Sequence, residues 1–392
     1  MLVSVALVII VGLLLGSLAQ KVKLPSLIGL LFTGIILGPY CLNLLSSNFL
    51  DISSDLRTIA LIVILTRAGL ALDLADLKKV GRPAVLMCFV PALFEIVGTV
   101  ILAPTLLHIS ISEALLLGSV IAAVSPAVVV PRMIRLMREG YGVKKRVPQI
   151  ILAGASVDDV FVLVLFTAFL GLNEGGNFSA VQLTSIPIAI LSGASLGFLL
   201  GYLLVQFFNR IHIRDSIKVL LMLAISFLLM GMETSLKSVF PFSGMLAVMS
   251  LSLMIFRQKR PLAERLSVKF NKIWIIAEIF LFVLVGASVD LSYAVAAGVW
   301  PIVLLILISL FRMLGVYVSL LHTNLTFKER VFCMMSYLPK ATVQAAIGAI
   351  PLSLGLASGE IILTVAVLSI LLTAPIGAWL MDRYYSVLLE NG

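Results

Sequence analysis

Apolar residues in this chain come in long unbroken blocks separated by short polar stretches, rather than alternating or recurring as a one-sided stripe. Thirteen such blocks, at 2–19, 26–40, 56–74, 83–105, 113–136, 149–172, 180–208, 216–232, 240–256, 272–290, 296–321, 329–354 and 360–382, are each read as a bilayer crossing. Lipid offers backbone groups no partner, so spans of this kind are helices, and the roughly 10-residue alternation of a membrane barrel is absent. The pattern predicts an all-α polytopic membrane protein with about thirteen transmembrane helices. Composition agrees, with 61% hydrophobic and 12% charged residues and a mean hydropathy of +1.18.

A net charge of +9 would suggest nucleic acid in a soluble chain, but the positions of the charges explain it differently. Of 28 Lys and Arg residues, 23 fall on alternate loops, Arg57 and Lys237 fall on the opposite set, and Arg67, Arg312 and Lys340 lie within spans. Basic residues mark cytoplasmic loops, so the N-terminus is expected outside and the C-terminus inside. No Lys or Arg precedes the first span, so it is expected to stay as a helix rather than be cleaved as a signal. The longest inner loops, around 137–148 and 257–271, leave no room for a nucleotide-binding domain, and no phosphate-binding glycine motif occurs in a strand–helix setting. Neither nucleotide nor nucleic acid is expected as a partner. Cys41, Cys88 and Cys333 lie far apart and show no paired spacing, and His108, His212 and His322 form no cluster, so no resident metal or cofactor is expected.

Thirteen spans divide as six, one and six, which reverses the second half in the membrane and predicts an inverted repeat. The fifth span of the first half carries Ala123-Val124-Ser125-Pro126-Ala127, and the fifth span of the second half carries Tyr337-Leu338-Pro339-Lys340-Ala341. A single proline kink is common in membrane helices. Pro126 and Pro339 in matching places instead predict two broken helices that cross at mid-membrane and present their bare ends to ions.

Ionisable residues at bilayer depth are costly and usually mark an ion or proton path. Here they are Glu95 in span 4, Asp158 and Asp159 in span 6, Arg312 in span 11 and Lys340 in span 12. All five belong to spans 4–6 and 11–13, which predicts a single core bundle. Neighbours on a helix point about 100° apart, so one aspartate is expected to face a cavity while the other meets a partner on another helix. A carboxylate pair that holds either a cation or protons is the minimal form of an exchanger. Blander roles exist: Glu95 and Arg312 as a structural ion pair, Lys340 as a neutraliser of half-helix ends, and Arg67 as a residue that snorkels outward.

At these residues the chain resembles the monovalent cation:proton antiporter superfamily, most closely its NHA branch. The matching stretches are Arg67-Ala-Gly-Leu-Ala-Leu-Asp73, Ala123-Val-Ser-Pro-Ala-Val-Val-Val-Pro131, Gly140-Tyr-Gly142 leading into Ala155-Ser-Val-Asp-Asp159, and Leu338-Pro-Lys-Ala-Thr-Val-Gln-Ala-Ala-Ile-Gly348. The resemblance covers essentially the whole chain and implies the crossed-helix fold of NhaA and NapA. It implies a homodimer in the cell membrane that exchanges Na+ or Li+ for H+ by elevator-type alternating access. By position, Asp159 would be the principal Na+ carboxylate, Asp158 its partner, and Ser125 with nearby carbonyls would complete the site. Arg312 would take the place of a lysine found in several electrogenic relatives, with Glu95 as its salt-bridge partner. Many relatives have Thr-Asp-Pro in the first broken helix where this chain has Val124-Ser125-Pro126, so the acid that offsets the crossing's positive ends is missing. Eukaryotic members carry an additional N-terminal helix, and the compact sequence is expected to be prokaryotic, in an inner membrane.

The resulting division is a scaffold and dimerisation bundle from 1–78 and 209–292, a core ion-transport bundle from 79–172 and 293–392, and a linker helix at 173–208. Two acids carrying two protons per cation would make exchange electrogenic; an Asp158 locked to a basic partner would make it neutral. Rival readings are K+/H+ exchange, Na+-coupled uptake of an organic anion on the same fold, and a sensor that binds ions without transporting them. An intramembrane aspartyl protease needs two carboxylates facing each other from separate helices, which adjacent aspartates cannot supply. The chain is read as a transporter, not an enzyme.

Overall fold

A computed structural model of the chain describes residues 1–71, 81–174, 180–236 and 240–391. Asp73, Lys78, Lys79 and Lys237, which entered the motif and loop readings, lie outside the described residues, as does the end of the third span. The first half contains α1 (Leu2–Lys21), α2 (Ser26–Leu37), α3 (Ser47–Asp51), α4 (Ser53–Ala71), α5 (Arg82–Met87), α6 (Val90–Leu107), α7 (Ile111–Ile121), α8 (Pro126–Glu139) and α9 (Val147–Glu174). Then come α10 (Ala180–Arg210), α11 (Asp215–Leu236), α12 (Gly244–Gln258), α13 (Arg260–Ala287) and α14 (Leu291–Ala296). The chain closes with α15 (Trp300–Ser319), α16 (Phe327–Ser336), α17 (Thr342–Ile347), α18 (Ile350–Ser353) and α19 (Gly359–Leu388). Among the described residues the fold is all helical, the one extended pairing being an isolated bridge between Tyr141 and Asn391.

Nine helical stretches among the described residues are long and apolar enough to cross a membrane. They fall at the first, the fourth to eighth, the tenth, eleventh and thirteenth expected spans. The other four expected spans hold helices that are shorter, more polar or interrupted: α2 with 12 residues, α4 with Asp55, Arg57 and Arg67, α12 with 15 residues, and the series α16–α18. Side chains such as Ile10, Leu14, Leu191, Leu228 and Trp379 stand exposed, as lipid-facing residues do.

The basic stretch around 257–271 is not the loop expected from its charge. α13 starts at Arg260, with only Lys259 between it and the end of α12. Leu262, Leu266 and Phe270 recur every four residues and are buried, while Arg260 pairs with Glu264 at 3.1 Å on the solvated side. The charges hid an amphipathic helical extension.

Two compact units divide the chain: Met1–Asp51 with Leu74–Phe169 and Phe282–Gly392, and Ile52–Asp73 with Leu170–Leu281. This grouping places residues 1–51 with the aspartate helix, whereas the sequence grouped 1–78 with 209–292. In the second unit α12 is central, packed on α4, α10 and α11. Gly193, Gly197 and Gly201 set one face of α10 directly on the carbonyls of Ser243, Ala247 and Leu251, where any Cβ would collide. Rows of small residues of this kind let membrane helices approach backbone to backbone. Arg67 belongs here and not at the aspartates: its Nε donates to Asn271 Oδ1 at 2.8 Å, and its guanidinium lies 5.0 Å from the Trp274 ring centre. These contacts hold its head group within the unit.

In the first unit α6 lies along α7 and α15, and α19 packs on α7, α8, α16 and α17. This unit contains Glu95, Asp158, Asp159, Arg312 and Lys340.

Candidate ion-binding site

The site begins with two interruptions. α7 stops at Ile121, and α8 resumes at Pro126, whose ring suits a first helical position because no N–H is needed there. α16 stops at Ser336, and α17 resumes at Thr342, with Pro339 in the gap. The two gaps are hydrogen-bonded to each other: Ser125 N–H donates to the Pro339 carbonyl at 2.8 Å. The twelfth span is broken again at Gly348–Ala349, between α17 and α18.

Each bare helix end finds a partner. The last carbonyls of α7 face a set of donors from the second half. Lys340 Nζ donates to Ile121 O at 2.5 Å, Gln344 Nε2 to Ala123 O at 2.9 Å, and Arg312 Nη1 to Ala122 O. At the start of α8, Val124 N–H donates to Asp158 Oδ2 at 2.7 Å. In the second gap Arg312 Nε donates to Tyr337 O at 2.6 Å, Lys340 N–H to Thr373 Oγ1 at 2.9 Å, and Ala341 N–H to Gln344 Oε1 at 2.8 Å. Cations at the C-terminal end and a carboxylate at the N-terminal end match the partial charges of the half-helices.

The sequence left the crossing's positive end without an acid; Asp158, from another helix, fills that place. Gln344 and Thr373 were not singled out, although Gln344 stands in a quoted motif. Its polar amide at a buried helical position (1% exposed) was the available signal.

The charged side chains form one connected group. Arg312 Nη1 meets Glu95 Oε2 at 2.8 Å, Arg312 Nη2 meets Asp158 Oδ2 at 2.9 Å, and Lys340 Nζ meets Glu95 Oε1 at 2.6 Å. Glu95, Asp158 and Arg312 are fully buried, and Lys340 and Ser125 are 1% exposed. This ion-paired group contains two acids and two bases, and Asp159, the next residue on α9, has no basic partner among the described residues. Asp158 Oδ1, Asp159 Oδ1 and Ser125 Oγ are buried oxygens without a hydrogen-bond partner. Asp158 binds the amide next to Ser125, which brings these two residues together at the crossing, and Asp159 follows Asp158 on α9. Buried polar atoms are normally satisfied. Hard oxygens of this kind suit a small cation or a proton.

Close packing fixes the aspartate helix on the crossing. Gly154, one turn before Asp158, lies so near Tyr337 that a Cβ there would overlap the Tyr337 hydroxyl and come 2.8 Å from Met87 Cβ. Gly377 on α19 does the same for Pro339, whose Cγ would be 2.5 Å from an added Cβ.

The fold is shared with a solved ion antiporter. The sodium proton antiporter MjNhaP1 of Methanocaldococcus jannaschii, solved at pH 8, aligns with a TM-score of 0.84 over 98% of this chain and 97% of that one, at 22% identity. A family profile described as "Sodium/hydrogen exchanger, transmembrane" matches residues 5–382. Human sodium/hydrogen exchanger 9B2 is 34% identical over 406 residues, spanning 98% of this chain and 73% of that protein. The Xenopus tropicalis 9B2 protein is 29% identical over 399 residues, spanning 96% and 72%. The chain therefore belongs to the sodium/hydrogen exchanger family, within the monovalent cation:proton antiporter superfamily. It is a multi-pass membrane transporter and not an enzyme, and transport of this kind uses ions as substrates without a cofactor. These relatives are vertebrate proteins and lend no support to the expected prokaryotic inner membrane.

Proposed function

We propose that this protein exchanges Na+ or Li+ for H+ across a cell membrane, with Asp159 as the carboxylate that cation and proton occupy in turn. The reading rests on one observation: a buried cluster in which two acids balance two bases leaves Asp159, the residue next to Asp158, as a surplus buried acid, with partnerless oxygens on Asp158, Asp159 and Ser125. A proton or a monovalent cation neutralises that surplus equally well, and the two exclude each other. Asp158 is engaged by Arg312 and by Val124 N–H, so it orients the site while Asp159 turns over. One proton per cation follows, the neutral coupling foreseen for a locked Asp158.

In the same reading the chain has thirteen crossings, an outside N-terminus and an inverted repeat. Residues 79–172 and 293–392 form a core that carries the ion by an elevator movement, 1–78 and 209–292 a scaffold that dimerises, and 173–208 their link. Family membership and the antiporter fold support this arrangement.

Purified protein in proteoliposomes with an imposed pH gradient provides the test. Wild type should take up 22Na+ against protons, and Asp159→Asn should lose exchange by at least 100-fold, since a neutral amide cannot trade charge. An Asp159→Asn protein exchanging at the wild-type rate would overturn the reading. Competition by Li+ and K+ in the same assay separates Na+ selectivity from K+/H+ exchange.

A further inference from the structure

On the face that carries most of the basic loops, the first unit holds a second polar feature that ion exchange does not use. A cavity of about 370 Å³ opens between the start of α5, the loop before α9 and the loop after α15. That volume falls within the roughly 300–1,000 Å³ of small-molecule sites. Arg82, Lys144, Lys145, Arg146, His322 and Asn324 line it, and no Asp or Glu does. Four fixed cations converge there from two separate segments, and a third adds a ring N–H and an amide as further donors.

Not all of that charge is available. Lys145 Nζ bonds Glu329 Oε2 at 3.1 Å and Glu390 Oε1 at 3.2 Å, tying the loop to α16 and to the chain's C-terminal end. The bond to Glu329 raises the Lys145 ammonium above its ordinary pKa, so the tie persists at physiological pH. Arg82, Lys144 and His322 stand exposed toward the cavity mouth. Arg146 and His322 both hold the left-handed backbone region, at φ 57° and 61°, where residues with a Cβ are uncommon. The loops are shaped around the cavity at a local conformational cost.

We propose that this cavity binds a phosphate-bearing anion, either the headgroup of an anionic phospholipid or a soluble phosphate. Basic pockets between membrane helices at the cytoplasmic boundary take phosphorylated headgroups, and guanidinium donors suit phosphate oxygens. The site joins the ends of the segments that lead to Glu95, Asp158 and Arg312, so an occupant would brace the helices of the ion site from outside. It does not depend on which ion the protein carries.

The test uses the full chain in detergent, with thermal melting followed against inorganic phosphate, short-chain phosphatidic acid and short-chain phosphatidylcholine. A bound ligand stabilises the folded state saturably. Stabilisation is expected with phosphatidic acid or phosphate and not with phosphatidylcholine, and the responding probe identifies the source. Arg82→Gln/Lys144→Gln/His322→Gln should raise the half-saturating concentration at least 10-fold. Lys21→Gln/Lys23→Gln, basic sites on the same face outside the cavity, should leave it unchanged. If the triple variant aggregates, Lys144→Gln alone should raise it by about fivefold. No saturable response to either phosphate probe, or equal weakening by cavity and control substitutions, overturns the proposal.

Discussion

Arg312 shows how much one side chain holds at the crossing. Its guanidinium donates to Tyr337 O, Ala122 O, Glu95 and Asp158, three of its nitrogens serving four acceptors on four segments. A lysine has one nitrogen and no planar fork, so Arg312→Lys cannot reach all four. Arg312→Ala leaves two buried carboxylates short of a cation, and breaking a buried pair in this way costs about 3–5 kcal/mol. Adding Glu95→Gln to Arg312→Ala should recover part of that loss, because the second change removes one stranded charge. Thermal unfolding in detergent measures the cycle, and strictly additive losses would contradict the pairing. At this scale the sequence was largely legible: Glu95, Asp158, Asp159, Arg312 and Lys340 stood out because charge is rare within apolar spans. Their partners were not, because nothing in the chain order says that Asp158 reaches the Val124 amide or that Lys340 spans from Glu95 to Ile121 O.

At the scale of elements, the two broken helices are held by close packing as well as by charge. Gly154 sets α9 against Tyr337, whose ring also lies 5.5 Å from the Arg312 guanidinium carbon. Gly154→Ala forces Tyr337 or α9 to shift and should reduce exchange several-fold with every charged residue intact. The Tyr337 hydroxyl is buried without a hydrogen-bond partner, so Tyr337→Phe removes the nearer of the two colliding atoms at little cost. The double variant should regain most of the Gly154→Ala loss in the proteoliposome assay; no recovery would show that the contact does not matter. Pro126 and Pro339 made the breaks legible, since proline cannot continue a helix hydrogen-bond ladder. The second break at Gly348–Ala349 and the early start of α13 were not. The first has no proline within the gap, and in the second the charges of Arg260, Glu264 and Arg265 masked the four-residue burial rhythm.

At the scale of the whole molecule, the apolar blocks were sufficient to read an all-helical membrane protein. Which helices cluster is a separate matter. Residues 1–51 are compact with the aspartate and arginine helices, a result of tertiary packing that no local pattern encodes. Exchange itself is a property of the entire chain, yet its stoichiometry reduces to the charge of one cluster. If a single carboxylate changes hands, the protein binds Na+ in competition with one proton, and acid weakens cation binding because protonation removes the ligand. The most direct test is the half-saturating Na+ concentration for transport, measured in proteoliposomes over a pH series without membrane potential. On the acidic limb it should rise about tenfold for each unit that pH falls, and Asp159→Asn should show no such limb. A rise of about a hundredfold per unit would mean two competing protons, and a half-saturation independent of pH would contradict the shared site altogether.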